Sequence, residues 1–151
     1  VLEAYRKPYR TASVFQAHAA AAEAGLYIAH YFLLGGPGET RTTLEQTLEA
    51  VDKLSQAVHF FFCGMRIYPH TALYETARHE KRIEGRPGLM DMCFYHSPHV
   101  PSEEIVDRVQ NKAEKRMNWV VGGGGAEMMH IVSRMHAKGY TGPLWEYLLG
   151  P

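Results

Sequence analysis

The chain has 151 residues, 46% of them hydrophobic, with 16 basic and 16 acidic side chains. That length gives room for one domain with a real core, and it falls well short of the roughly 250 residues of a complete (β/α) barrel. The balanced charge argues against a nucleic-acid or membrane-surface partner, which a basic excess or stripe would announce. The nearest cluster, Arg78, Lys81, Arg82 and Arg86, is interrupted by Glu80 and Glu84 and reads as a solvated face. No apolar run approaches the roughly 20 residues of a membrane span. The two cysteines, Cys63 and Cys93, form no C-x-x-C pair. They read as buried free thiols of a reducing compartment, so a cytoplasmic protein, or a piece of one, is expected.

In chain order, the Ala-rich stretch 11–24 predicts a helix with Val14, Phe15, His18, Ala21 and Ala22 on one side and Gly25 as its left-handed cap. Leu26 to Leu34 is short, aromatic and branched. It reads as a strand covered on both faces, as in a parallel sheet between helices. It runs into Gly35-Gly36-Pro37-Gly38. Thr42-x-x-Glu45 has the form of a capping box, and Leu44, Leu48, Val51 and Leu54 follow at helical spacing. Val58 to Ile67 predicts a second strand, parallel to the first and its neighbour through a right-handed crossover. A short helix over 71–82 and a Gly/Pro/His-containing connection over 85–101 come next. Ser102 then reads as the cap of a third clear helix, with Ile105, Val109, Ala113, Met117 and Val120 inward. Gly122 to Gly125 break that pattern. A last helix, about 126–138, has Met128, Ile131, Val132 and Met135 inside, and an aromatic tail follows.

The turn after the first strand is the sharpest feature. Glycines let a backbone approach a ligand closely, and ligands of α/β sheets sit at the C-terminal strand ends. No Lys-Ser/Thr follows, so a Walker A loop is excluded, and the G-x-G-x-x-G spacing of a Rossmann turn fails. A small nucleotide- or phosphate-binding α/β module stays open on these residues alone. His96-x-x-His99 is the best histidine pair, but two ligands without a third do not make a zinc site.

Two longer patterns go further. Gly25-Leu-x-Ile-x-x-x-Phe-Leu-Leu-Gly35-Gly-Pro-Gly-Glu39-Thr40, with Thr43-Leu44-Glu45-x-Thr47 after it, resembles the fifth strand and turn of radical S-adenosylmethionine (SAM) enzymes. Met65-Arg-Ile-Tyr-Pro69-His70-Thr71-x-Leu73-Tyr74-Glu75 resembles their sixth strand and exit, with His70 where that pattern has Gly. The resemblance implies a fold class: α/β, the C-terminal portion of a partial (β/α) barrel with parallel strands, over residues 1–84. A mainly helical extension over 85–151 would follow, similar to members that carry a cobalamin-binding domain.

The resemblance also implies roles. Leu33, Leu34 and Gly35 would lie along the adenosyl group of SAM, with Gly36, Pro37, Gly38 and Glu39 shaping the turn. Ile67, Tyr68 and Pro69 would flank the adenine from the other side, and Arg66 and His70 would face substrate. Glu39 reads equally as a ligand contact and as a structural carboxylate stabilised by the free N–H groups of a helix start whether or not SAM is near. Members of that family hold a [4Fe–4S] cluster on C-x-x-x-C-x-x-C, a triplet that Cys63 and Cys93 cannot form. The cluster would therefore be bound by a missing N-terminal barrel half or by a partner chain. The expected function is that of an enzyme fragment helping to hold SAM beside a small-molecule substrate, with cobalamin as a further cofactor. This stretch alone would be inactive. An accessory subunit completing a barrel in trans is the other alternative.

Overall fold

The computed structural model describes residues 2–85, 87–114, 116–122 and 125–149, and the side chains of 125–128 lie outside that description. Helix α1 spans Thr11–Glu23. Its covered positions are Val14, Phe15, His18, Ala21 and Ala22, the stripe its sequence predicts, with only His18 fully buried. Gly25, at φ +71, closes the helix. The Gly25 N–H donates to the Ala22 carbonyl and the Leu26 N–H to the Ala21 carbonyl, which is the Schellman pattern.

Strand β1 (Ile28–Leu34) starts two residues later than its composition suggests, since Leu26 and Tyr27 are exposed in the approach. Strand β2 (Ala57–Cys63) pairs with it in parallel, from Ile28 opposite Ala57 to Leu34 opposite Cys63. Helix α2 (Arg41–Val51) makes the crossover. Its stripe Leu44, Leu48 and Val51, extended by Leu54, is buried as the periodicity predicts. The cap is different: Thr40, not Thr42, is the N-cap, and Thr43, not Glu45, closes the box. The Thr40 Oγ1 accepts from the Thr43 N–H at 3.3 Å, and the Thr40 N–H donates to the Thr43 Oγ1 at 2.9 Å. A hydroxyl at the third helical position answers the cap as well as a carboxylate does. Glu45 is thereby freed for Arg108, 3.5 Å away.

The sequence reads as one strand from Val58 to Ile67, and the structure divides it. Gly64, at φ +90, turns the chain out of the sheet. Met65–Arg66 then forms β3, antiparallel to β4 (Phe94–Tyr95). This small ladder and helix α3 (Ala72–His79) enclose a second core of Ile67, Tyr74, Ala77 and Tyr95. Thr71 caps α3 by accepting from the Tyr74 N–H at 3.2 Å.

Helix α4 spans Ser102–Ala113, with Pro101 as N-cap, so Ser102 is not the cap. Its hydroxyl pairs with the His96 ring instead, at 2.8 Å. Ile105, Val109 and Ala113 are buried, but the stripe ends there. Met117 is 71% exposed, and Val120 belongs to a third strand, β5 (Trp119–Val121), parallel to β2. The stretch 85–151 is therefore not simply helical, because it supplies β4 and returns β5 to the main sheet.

Helix α5 (Gly125–Ala137) is less covered than its pattern suggests: Ile131 is exposed, Val132 and Met135 are half-buried, and Met128 lies outside the described side chains. The tail forms a 3₁₀ turn, Leu144–Leu149, against β2. Arg78, Lys81 and Arg82 are exposed as a solvated face requires, while Arg86 lies outside the described residues.

The main sheet has the order β1–β2–β5, which leaves β1 as an edge. Side chains alternate across a strand. One face of the sheet carries Leu34, Phe61 and Trp119 into a core shared with Leu44, Leu48, Val51, Ile105 and Val109. The opposite face carries Tyr31, Leu33, Phe60 and Phe62. The sequence of β1 reads as covered on both faces, yet Tyr31 is 63% and Leu33 44% exposed on that second face. Cys63 and Cys93 are free but half-buried rather than buried. Among the described residues, no helix is long and apolar enough to cross a membrane.

Candidate functional site

The turn Gly35–Glu39 lies at the C-terminal end of β1, between the edge strand and the start of α2. Gly35 takes φ +79 and Gly38 φ +77, conformations that side-chain-bearing residues rarely adopt. Glu39 closes the turn from within. It is fully buried, its N–H donates to the Gly36 carbonyl at 3.2 Å, and its Oε2 accepts from the Gly35 N–H at 2.5 Å. Its Oε1 is buried without a hydrogen-bond partner. Burial pushes the Glu39 carboxyl up, and the Gly35 N–H partly offsets this.

The turn is braced from two distant parts of the chain. The Ser97 N–H donates to the Gly35 carbonyl at 2.7 Å, and the Ser97 hydroxyl donates to the Glu39 carbonyl at 2.7 Å. From the N-terminal segment, the Tyr5 hydroxyl accepts from the Gly36 N–H at 3.1 Å and reaches the Leu33 carbonyl at 3.4 Å. A Cβ on Gly36 would strike that hydroxyl and the Met65 sulfur, so glycine is required by close approach there. Burial, with the Glu39 carboxyl nearby, raises the Tyr5 hydroxyl above its ordinary range.

The strand ends adjoin, since the Gly64 N–H donates to the Leu34 carbonyl at 2.8 Å. Gly64 leaves a slot for the His96 ring, whose Cε1 lies 2.6 Å from where a Cβ would stand. Cys63 sits beside Gly35, its thiol raised by burial.

The residues singled out by sequence separate into three groups. Leu33 is exposed on the open sheet face, beside Tyr31, whose ring stacks on Phe60 at 4.9 Å. Leu34 points into the opposite core, and Gly35, Gly36, Pro37, Gly38 and Glu39 form the turn itself. Ile67 is a core residue of the second cluster, so its side chain faces Tyr74 and Tyr95 rather than the turn. Tyr68 and His70 are exposed and Pro69 half-buried. His70 takes φ +63, which explains why Gly suits that position in the resembling pattern. Arg66 lies over the Tyr68 ring at 4.9 Å and donates to the Leu89 carbonyl at 3.4 Å, with no carboxylate partner among the described residues. Tyr5 and Ser97 escape sequence reasoning because no local spacing signals a contact across 31 or 58 positions.

What the site offers chemically is a flat apolar face ending in a tight turn. That suits a planar, largely apolar group lying on Tyr31, Leu33, Phe60 and Phe62. It does not suit a [4Fe–4S] cluster, which needs three thiolates where this chain has Cys63 and Cys93 alone. Among the described residues, no three His, Cys, Asp or Glu side chains converge as a metal site.

No family model matches the chain, and no curated protein matches its sequence. Its fold is similar to a solved structure, the radical S-adenosylmethionine methyltransferase TsrM from Kitasatospora setae with cobalamin and a [4Fe–4S] cluster bound. The TM-score is 0.69 over 94% of this chain, at 17% identity. The chain spans 35% of the length of that structure, and the likeness is one of fold.

Proposed function

We propose that these residues form the C-terminal part of a radical SAM catalytic domain and supply the adenine-side wall of its SAM site. The observation that carries this is the Gly35–Glu39 turn at the end of a parallel strand, with an exposed apolar face beside it, in a fold that a radical SAM methyltransferase shares. On this reading β1 and β2 are the fifth and sixth barrel strands. Residues 1–84 carry those two strands, and the extension 85–151 adds β5 beside β2. The free edge of β1 is where an earlier barrel strand would pair, whether from the same chain or from a partner.

Bound SAM supplies an adenosyl group for reductive cleavage and hydrogen abstraction from a substrate. The chain's own contribution is positional. Leu33 and Tyr31 give the adenine an apolar bed, while Gly36 keeps the strand end free of a side chain. Arg66, Tyr68, Pro69 and His70 rim the second strand exit, toward the substrate. The cluster belongs to residues outside this chain. Cobalamin is proposed as a further cofactor from the fold of TsrM, and a cytoplasmic location belongs to the same proposal. The phosphate-module alternative is weaker, because it needs free amides at the turn. The Gly35, Thr40 and Thr43 N–H groups already have acceptors within the turn, in Glu39, Thr43 and Thr40.

Leu33→Glu tests the reading, since Leu33 is half exposed and its replacement leaves the cores intact. In the complete protein, calorimetric titration with S-adenosylhomocysteine should show a dissociation constant raised about tenfold, or about 1.4 kcal/mol. An unchanged constant with an intact fold contradicts the proposal.

A further inference from the structure

Resting on that reading, we propose that Tyr5 is a strap residue whose hydroxyl occupies the adenine's hydrogen-bonding seat at the end of β1, so that the adenosyl ligand must displace it. The seat consists of one donor, the Gly36 N–H, and one acceptor, the Leu33 carbonyl. A single hydroxyl meets both, at 3.1 and 3.4 Å. A purine bearing a 6-amino group offers the same pair from adjacent atoms, with the N6–H to give and N1 to take. Tyrosine is the aromatic side chain that can both donate and accept in this way, and its ring also brings a flat apolar body to the strand end.

The seat is built for close approach. Gly36 is buried, and any Cβ there would strike the Tyr5 hydroxyl and come within 2.6 Å of its Cζ. The strap is otherwise lightly held. Its neighbouring residues Glu3, Ala4, Arg6, Lys7, Pro8, Tyr9 and Arg10 are largely exposed. Even a Cβ built on Gly38 would meet Ala4 only at van der Waals range, 3.7 Å. The strap also forms one wall of a groove of about 910 Å³ that runs along β1 and reaches Glu39. Displacing one aromatic residue would therefore join the seat to an existing open channel. A ligand that binds only the open form has its apparent affinity reduced by the fraction of molecules that are open.

The complete protein is titrated with S-adenosylhomocysteine as wild type and as Tyr5→Phe. Loss of the hydroxyl removes both of its hydrogen bonds, to Gly36 and Leu33, from the closed form, and affinity should rise about fivefold. S-inosylhomocysteine carries the reversed donor–acceptor pair at the ring edge, and its binding should not improve in the variant. Equal or weaker binding of S-adenosylhomocysteine by Tyr5→Phe overturns the strap while leaving the adenosyl site standing. Binding of it by neither protein overturns the site itself. In a second measurement, 3-fluorotyrosine is placed at Tyr5. Its fluorine resonance should move toward the solvent value when S-adenosylhomocysteine saturates the protein, and a resonance that stays put overturns the displacement.

Discussion

Three histidines form a stack on the covered side of the sheet. His18 of α1 meets His30 of β1 through an Nδ1···Nε2 contact of 3.1 Å, and the His30 ring lies 5.7 Å from that of His59 on β2. A hydrogen bond between two imidazoles needs one of them neutral, because an imidazolium offers only donors. The His59 Nε2 meets the Leu54 carbonyl at 3.0 Å and must donate to it, while its Nδ1 is buried without a partner. Burial, with His30 nearby, lowers His59 to about 4, and burial beside His18 lowers His30 as well. Arg116, stacked on Trp119 at 4.1 Å, adds to the lowering at His59. A base whose folded pKa lies below its unfolded value binds more protons when unfolded. Its neutral form therefore supports the fold above pH 6.5, and that support is lost as the pH falls toward 4. The unfolding free energy from urea titrations should stay level from pH 8 to 7 and then decline by roughly 2 kcal/mol between pH 6.5 and 4. His59→Gln should flatten the decline, and an equally steep one in that variant would remove His59 from the account. At Gly64, alanine must take a left-handed conformation and press on His96. Gly64→Ala should cost about 1–3 kcal/mol. A second change, His96→Ala, should restore only the steric part, as equilibrium unfolding of the pair would show.

The elements differ in how plainly their residues announce them. α1 and α2 follow from periodicity, and the residues predicted to face inward are those the structure covers. α1 lies against β1 and α2 against the core that it shares with α4, so local spacing decides which face each covers. The cap of α2 was ambiguous because Thr40, Thr42 and Thr43 all precede the same apolar stripe. Only the turn geometry selects Thr40. Thr40→Ala should therefore cost about 1 kcal/mol in urea unfolding, while Thr42→Ala, on the exposed side, should cost almost nothing; the reverse order would contradict the cap. β5 was hidden for a related reason. Val120 follows Ile105, Val109, Ala113 and Met117 at helical spacing, three residues after the last of them. A three-residue strand held by its pairing with His59, Phe60 and Phe61 carries no period of its own. The break at Gly64 was equally silent. The strand's apolar composition runs on through Met65 and Ile67, and only the ladder of Met65 and Arg66 with Tyr95 and Phe94 shows that the chain has left the main sheet, with Ile67 entering the second core.

Across the whole molecule, the two faces of the main sheet divide the labour. One face carries the core that α2 and α4 close, and their ion pairs, Glu45 with Arg108 and Asp52 with Lys112 and Arg116, run along the outside of that contact. The other face leaves Tyr31 and Leu33 open and ends at a glycine turn held by Ser97 and Tyr5. The turn itself was legible as a motif. Its bracing was not, because it comes from opposite ends of the sequence. On the proposed reading, the free edge of β1 is where other residues complete the wall. The most direct test is photolabelling of the complete protein with 8-azido-S-adenosylhomocysteine, followed by tryptic mapping. Label should collect on the peptide 11–41, which contains Tyr31, Leu33 and the turn, and excess unlabelled S-adenosylhomocysteine should abolish it. Competable label confined to other peptides would contradict the adenine-wall assignment.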